Sequence, residues 1–418
     1  MPRWSLARPA HRRANQRVRV VLTAAVGAAI VVTVIGAILL WPPHAHPPTP
    51  PGLATHVKPL SGTVVSVANY ACQDFASGGE GDQGDLPTTA AEAAPECQTA
   101  QVSMHSGPEK GQVESVQQAG EAGLPQLQTG DKVLLVRGLG PDNKPVYGFY
   151  DFQRSSPLAL LALAFAIIVM VVGRWRGLGA LLGLGVTWLV MVRFILPALL
   201  EGKDPLSVSL VGSAVIVLVV LFVAHGINSR TATAVLGTLS SLVLVEVIAQ
   251  VAVHAATLSG LASEESQYLQ GVVGDVRIQG LLLAGVVIGS LGVLNDITVT
   301  QASAVWEIHE ANPHRRPMDL YRSGMRVGRD HIGSTVYSLV LAYAGAALPL
   351  LLLFTLAGQR LGLVITSEEV AEEVVRTLVG SIGLVLAVPL TTALAALVVS
   401  SGTNAASTNA ASTTAPVG

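Results

Sequence analysis

Charge is scarce in this chain: 12% of its 418 residues are Asp, Glu, Lys or Arg, and only 5% are aromatic. So little charge does not suit the surface of a large soluble protein. The net charge is −2, so no global basic field exists to hold phosphate backbones, and no nucleic-acid partner is expected. Two cysteines leave room for one disulfide at most.

Catalytic signatures are missing as well. There is no G-x-x-x-x-G-K-[ST] phosphate loop and no G-x-S-x-G elbow. His309, Glu310 and His314 look like a metal motif, but a zincin needs its histidines four residues apart on one helical face. Here the spacing is five and Pro313 interrupts. An intramembrane aspartyl protease needs paired aspartates, and only Asp296 is a clear candidate. The expectation is therefore no catalytic residue, no metal, no cofactor and no enzyme.

What is present is apolarity. Half the residues are hydrophobic, mostly Leu, Val, Ala and Ile, and mean hydropathy is +0.55. That profile is a multi-pass membrane protein. Arg3, Arg8, Arg12, Arg13, Arg17 and Arg19 cluster at the start of the chain, about an apolar run that spans Val18–Leu40. The run exceeds the usual ~7–15 residues of a signal-peptide core. It leads into WPPHAHPPTPPG with no small-residue cleavage site, so an uncleaved signal-anchor helix is expected over 18–40, after a basic cytoplasmic tail over 1–17.

A Pro-rich linker covers 42–56. Residues 57–152 then alternate short β-branched runs with turn signals, at Gly62–Val67, Gln101–His105, Gln112–Val116, Lys132–Arg137 and Val146–Phe152. About five strands predict a small β-barrel or sandwich, of the OB-like kind. Cys72 and Cys97 flank an acidic insertion, SGGEGDQGDLPTTAAEAAPE, expected to be mobile. A disulfide between them would staple that loop in an oxidising compartment; the alternative is two separate thiols.

Seven further apolar segments follow, at about 156–172, 178–199, 206–224, 232–255, 279–302, 332–355 and 377–399. With the anchor helix they predict an all-α membrane bundle of about eight transmembrane helices, with a small extracytoplasmic β-barrel-like (OB-like) domain inserted after the first helix. An N-terminus inside places Arg174, Arg176, Arg230 and the Arg315–Arg329 cluster in the cytoplasm. Both termini are then cytoplasmic and the β domain lies outside a bacterial cell membrane. Residues 401–418 are low-complexity and expected to be disordered.

The polar content of the helix over 279–302 carries the functional expectation. On a helical wheel, Gly285, Gly289, Gly292, Asp296, Thr300, Ser303 and Glu307 fall within about 80° of arc, while Thr298 and Gln301 point elsewhere. The glycines Gly285, Gly289 and Gly292 suit close helix packing. Carboxylates on the same line are expected to face the protein interior or a water-filled cavity, because lipid exposure is costly. The preceding helix places Glu246, Gln250 and His254 on one face, at i, i+4 and i+8. Such groups can relay protons or hold a cation, or can simply satisfy one another between helices.

The segment GVLNDITVTQASAVWEI, followed by SGMRVGRDHIGSTVYSLVLAYAGAALPLLL, closely resembles the YibE/F-like family of bacterial multi-pass membrane proteins. The resemblance is strong over about 156–400 and loose over 57–152. It implies an anchor helix, an extracytoplasmic β domain and a helical bundle. It matches Asp296, Glu307 and a G-R-D-x-x-G block at Gly328, Arg329, Asp330 and Gly333. Asn295 stands where the family pattern has an apolar residue, and His331 follows the Gly-Arg-Asp. No mechanism comes with the resemblance.

Two functions remain open at this level. One is a secondary transporter or permease-like protein with a cation- or proton-linked pathway through Asp296, Glu246, Thr300, Ser303, Glu307, Gln250 and His254. The other is a non-transporting envelope protein that holds a partner through its β domain. The partners expected are the lipid bilayer, a small solute or ion, and a homo- or hetero-oligomer with a related membrane protein.

Overall fold

A computed structural model describes residues 9–43, 58–71, 96–118, 125–140, 143–273, 277–358 and 360–400. The chain divides into two compact units, one of residues 54–168 and one of residues 1–53 with 169–418.

The first unit holds all five expected strands: β1 (Leu60–Ala71), β2 (Glu96–Met104), β3 (Val113–Gln118), β4 (Lys132–Leu139) and β5 (Pro145–Phe152). They close into a barrel in the order β1-β2-β3-β5-β4, with β1 pairing back onto β4. This order fits the OB-like expectation. Alternation sends Val133 and Leu135 of β4 inward, where they meet Val64, Val102, Met104 and Val116. Register shifts at Val64/Ser66 in β1 and Leu134/Leu135 in β4 supply the curvature that closure needs. Cys97 is disulfide-bonded. Cys72 and the acidic insertion lie outside the described residues, as do residues 44–57 of the linker and the tail over 401–418.

One ion pair on the barrel joins Arg137 of β4 to Glu109, at 3.1 Å. Burial pushes the Glu109 carboxyl up, but Tyr147 and the Arg137 guanidinium together outweigh it and hold the group below its ordinary value. The pair's contribution is thus complete above the unfolded carboxylate pKa and is lost as pH falls through the depressed folded value. Calorimetry of the full-length chain should show the barrel's transition temperature dropping on acidification. Glu109→Gln should flatten that dependence, and an unchanged acid response in the variant would refute the pair's role.

The remaining elements are helical. α1 is Pro9–Leu40, α2 Ser155–Val190, and a π-helical turn at Met191–Ile195 leads into α3 (Leu196–Leu200). Then come α4 (Pro205–His225), α5 (Ser229–Ala255), α6 (Glu264–Val272) and α7 (Ile278–Ala311). The last four are α8 (Pro317–Ala346), α9 (Leu348–Leu356), α10 (Leu361–Thr366) and α11 (Glu368–Ser400). Several of these apolar helices are long enough to cross a membrane and point to a multi-pass membrane protein: among the described residues six stretches qualify singly, α2 running on to α3 as one of them, and α8 with α9, bent by 57°, would make a seventh. The expectation of about eight counted 156–172 and 178–199 separately. Both lie along α2 and its continuation, and the break at Arg174 (φ 51, ψ −131) falls between them, where that reading divides the chain. α1 begins at Pro9, so the backbone of Arg12, Arg13 and Arg17 is helical ahead of the apolar span at Val20–Leu40.

Local chemistry sets the helix ends. Asp204 accepts from the Ser207 amide at 3.0 Å and Pro205 occupies the first turn, which starts α4. Gly226, at φ 76, ends it in a conformation that a side chain would strain. Asn228 then caps α5 by accepting from the Thr231 amide at 2.9 Å. α7 is the hub of the second unit and packs against α4, α5, α8 and α11. Glycines let these helices approach. A Cβ on Gly237 would lie 2.6 Å from Thr391 Oγ1, and one on Gly328 would lie 2.4 Å from Val388 Cγ1.

Candidate functional site

The seven-residue line on α7 is real as a line, but it faces away from the core. Gly285, Gly289, Gly292, Asp296 and Glu307 are exposed, and Thr300 and Ser303 are half-buried. Of the two placements expected for its carboxylates, the protein interior or a water-filled cavity, the interior of this chain is not where Asp296 and Glu307 lie. The opposite side of α7 packs inward, with Leu283, Val287, Leu294 and Val305 buried. The physical reason is that lipid does not repel apolar side chains. Bulky residues in a bundle serve helix contacts as well as lipid contacts, and here they serve the contacts.

Gly285 and Gly292 have open space where a Cβ would stand, and Gly289 lies beside the hydroxyl of Tyr343 on α8, with 3.4 Å from its Cβ position. Thr300 donates to the Asp296 carbonyl at 2.8 Å, an internal helical bond that leaves the Asp296 carboxylate outside it. Glu307 reaches Arg230 of α5 at 3.5 Å, and Glu310 reaches the same arginine at 3.8 Å.

On α5, Glu246 is half-buried and accepts from Gln250 Nε2 at a long 3.5 Å. Gln250 and His254 are exposed. Among the described residues, no hydrogen bond or ion pair joins Glu246 to Asp296. The two expected polar faces therefore stand as separate features of the bundle surface.

The inward polarity comes from residues outside the expected set. Thr298 and Gln301 are fully buried, together with Thr238, Thr391 and Thr392. Thr238 of α5 and Thr298 of α7 share a hydrogen bond at 2.6 Å. Gln301 Nε2 donates to the Gly324 carbonyl of α8 at 2.8 Å and to Thr392 Oγ1 of α11 at 2.7 Å. Thr392 in turn donates to its own helix at Val388, at 2.6 Å. This seam ties four helices where water cannot satisfy polar groups. The signal that could have found it is the wheel itself, since Thr298 and Gln301 fall among Leu294, Ile297 and Val305.

The G-R-D-x-x-G block divides across this seam. Gly328 is buried in it, its Cβ position 3.1 Å from Gln301 Oε1. Arg329, Asp330 and Gly333 are exposed.

Two cavities among the described residues of this unit carry charged side chains. One, of about 580 Å³, opens at the α4–α5 turn and is lined by Arg176, His225, Arg230, Ser303 and Trp306 among others. The other, of about 400 Å³, lies beside the α8–α9 bend at Ala346 and Ala347 and is walled by Glu264, Glu265, Glu369, Glu372 and Glu373. The first touches the α7 line at Ser303.

A family model described as YibE/F-like protein covers residues 161–401, more than half of the chain. No curated protein and no solved structure matches.

Proposed function

The chain belongs to the YibE/F-like family, and on that premise we propose that it is a permease-like secondary transporter with a cation- or proton-linked pathway along the outward line of α7. The observation that carries this reading is Asp296, a carboxylate set among open glycine positions about 27 Å along α7 from Ile278. Such a group exposed to lipid is costly, so the reading covers it with water and with a second membrane chain, a copy of this one or a related protein. Gly285, Gly289 and Gly292 suit close approach by that chain. The acidic cavity at the α8–α9 bend would attract a cation, and Glu246 with Gln250 offers a further polar step.

In this reading the chain sits in a bacterial cell membrane with both ends cytoplasmic and the barrel outside, which needs an even number of crossings and so counts the two legs of α2 about Arg174 as two spans. The arginine distribution supports that orientation. The test is proton-linked flux into proteoliposomes, followed with an entrapped pH-sensitive dye. Asp296→Asn, with elution profile and melting intact, should reduce flux at least about tenfold, as expected for loss of an intramembrane titrating group. Flux equal to wild type would sink the reading.

A second reading, an envelope protein that holds a partner through the barrel, is favoured by exposed apolar residues there, including Val113, Leu139, Val146 and Tyr150. Removing residues 57–152 would then abolish the cellular phenotype while Asp296→Asn leaves it intact.

A further inference from the structure

The cavity at the α4–α5 turn gathers donors from several elements. Arg176 comes from the leg of α2 that follows the break at Arg174, His225 ends α4, and Arg230 sits in the first turn of α5. Ser303 and Trp306 of α7 form the facing wall. Asn228 spends its side-chain oxygen on Thr231, so the amides of Ser229 and Arg230 in the same first turn keep no helical acceptor. The positive end of the 27-residue α5 thus points into a space already holding two guanidinium groups.

The carboxylates nearby must be counted. Glu307 and Glu310 both lie within 4 Å of Arg230, and Glu310 also lines the cavity. Arg230 thus faces two carboxylates for its one positive charge, and the uncompensated positive charge is that of Arg176 and the α5 terminus. Arg176 makes no ion pair among the described residues. A cavity of about 580 Å³ has room for a small tetrahedral oxyanion with its water.

We propose that this cavity binds a phosphate-type oxyanion, held by Arg176 and Arg230 with the first-turn amides of α5. Guanidinium groups and helix N-termini share a preference for such oxygens. The site adjoins the α7 line at Ser303 and at Glu307, the partner of Arg230, but uses neither Asp296 nor Glu246, so its test and that of the transport reading can fail separately. The same chemistry fits a free phosphate and the headgroup of an anionic phospholipid.

The test uses full-length protein. In one arm, protein in phosphate-free neutral detergent is titrated with inorganic phosphate at constant ionic strength, and melting is read from intrinsic tryptophan fluorescence. In the other, melting is compared between nanodiscs of phosphatidylcholine and nanodiscs with increasing phosphatidylglycerol. A saturable rise with phosphate identifies a free oxyanion, and a rise with phosphatidylglycerol alone identifies a headgroup. Either supports the site if Arg176→Gln and Arg230→Gln, made singly, each raise the half-saturating concentration about tenfold or more. Arg322→Gln, an exposed arginine of α8 away from the cavity, should leave it unchanged. No saturable response in either arm, or an equal loss in Arg322→Gln, overturns the proposal. Each cavity variant is first required to elute and melt as wild type without ligand, and one that does so is enough to decide.

Discussion

Gly328→Leu should lower the stability of the helical unit by about 3 kcal/mol, the upper range for forcing bulk into a packed interior. A Cβ alone would already stand 2.4 Å from Val388 Cγ1 and 3.1 Å from Gln301 Oε1. A leucine must displace the Gln301 carboxamide, and with it the bonds to Gly324 and Thr392. Gly333→Leu provides the internal contrast. It lies in the same G-R-D-x-x-G block but has nothing within 4 Å of its Cβ position. It should change stability by no more than about 0.5 kcal/mol. Midpoints of SDS-induced unfolding of full-length protein would measure both. Equal midpoints for the two variants would show that the seam around Gly328 is looser than its geometry.

Gln301→Leu should cost about 2 kcal/mol by the same measurement, because two hydrogen bonds at 2.7 and 2.8 Å are lost and their acceptors stay buried. The more telling result is its coupling to Thr392. A double-mutant cycle with Thr392→Val should give an interaction energy of about 1 kcal/mol, within the range for hydrogen bonds between membrane helices. Strictly additive losses would mean that the carboxamide stabilises through packing alone.

These two residues also mark where reading the sequence succeeded and where it stopped. The five strands were legible because β-branched runs between turn residues have few other homes. The helices were legible from apolar length. The wheel of α7 correctly put Asp296, Ser303 and the glycines on one line. It could not say which way that line faces, because in lipid an apolar side chain suits a neighbouring helix as well as a hydrocarbon tail. Thr298 and Gln301 were set aside as pointing elsewhere, and elsewhere is the bundle core. Gly328 was flagged by resemblance, but its reason, Gln301 on another helix, is a tertiary fact. The break at Arg174 was legible, because Gly173, Arg174 and Arg176 separate the apolar segments 156–172 and 178–199.

The barrel's closure has a consequence for how it can come apart. Between β3 and β5 it is sealed by one parallel pairing, Val116 with Tyr147, whereas β1 and β2 pair along nine positions. A ring with one thin seam opens there first. Opening it would unmask two strand edges at once, β3 and β5, each able to accept an extended peptide. The buried ring of Tyr147 is thus the latch of the barrel, and the residues flanking it set how readily a closed ring becomes an open sheet.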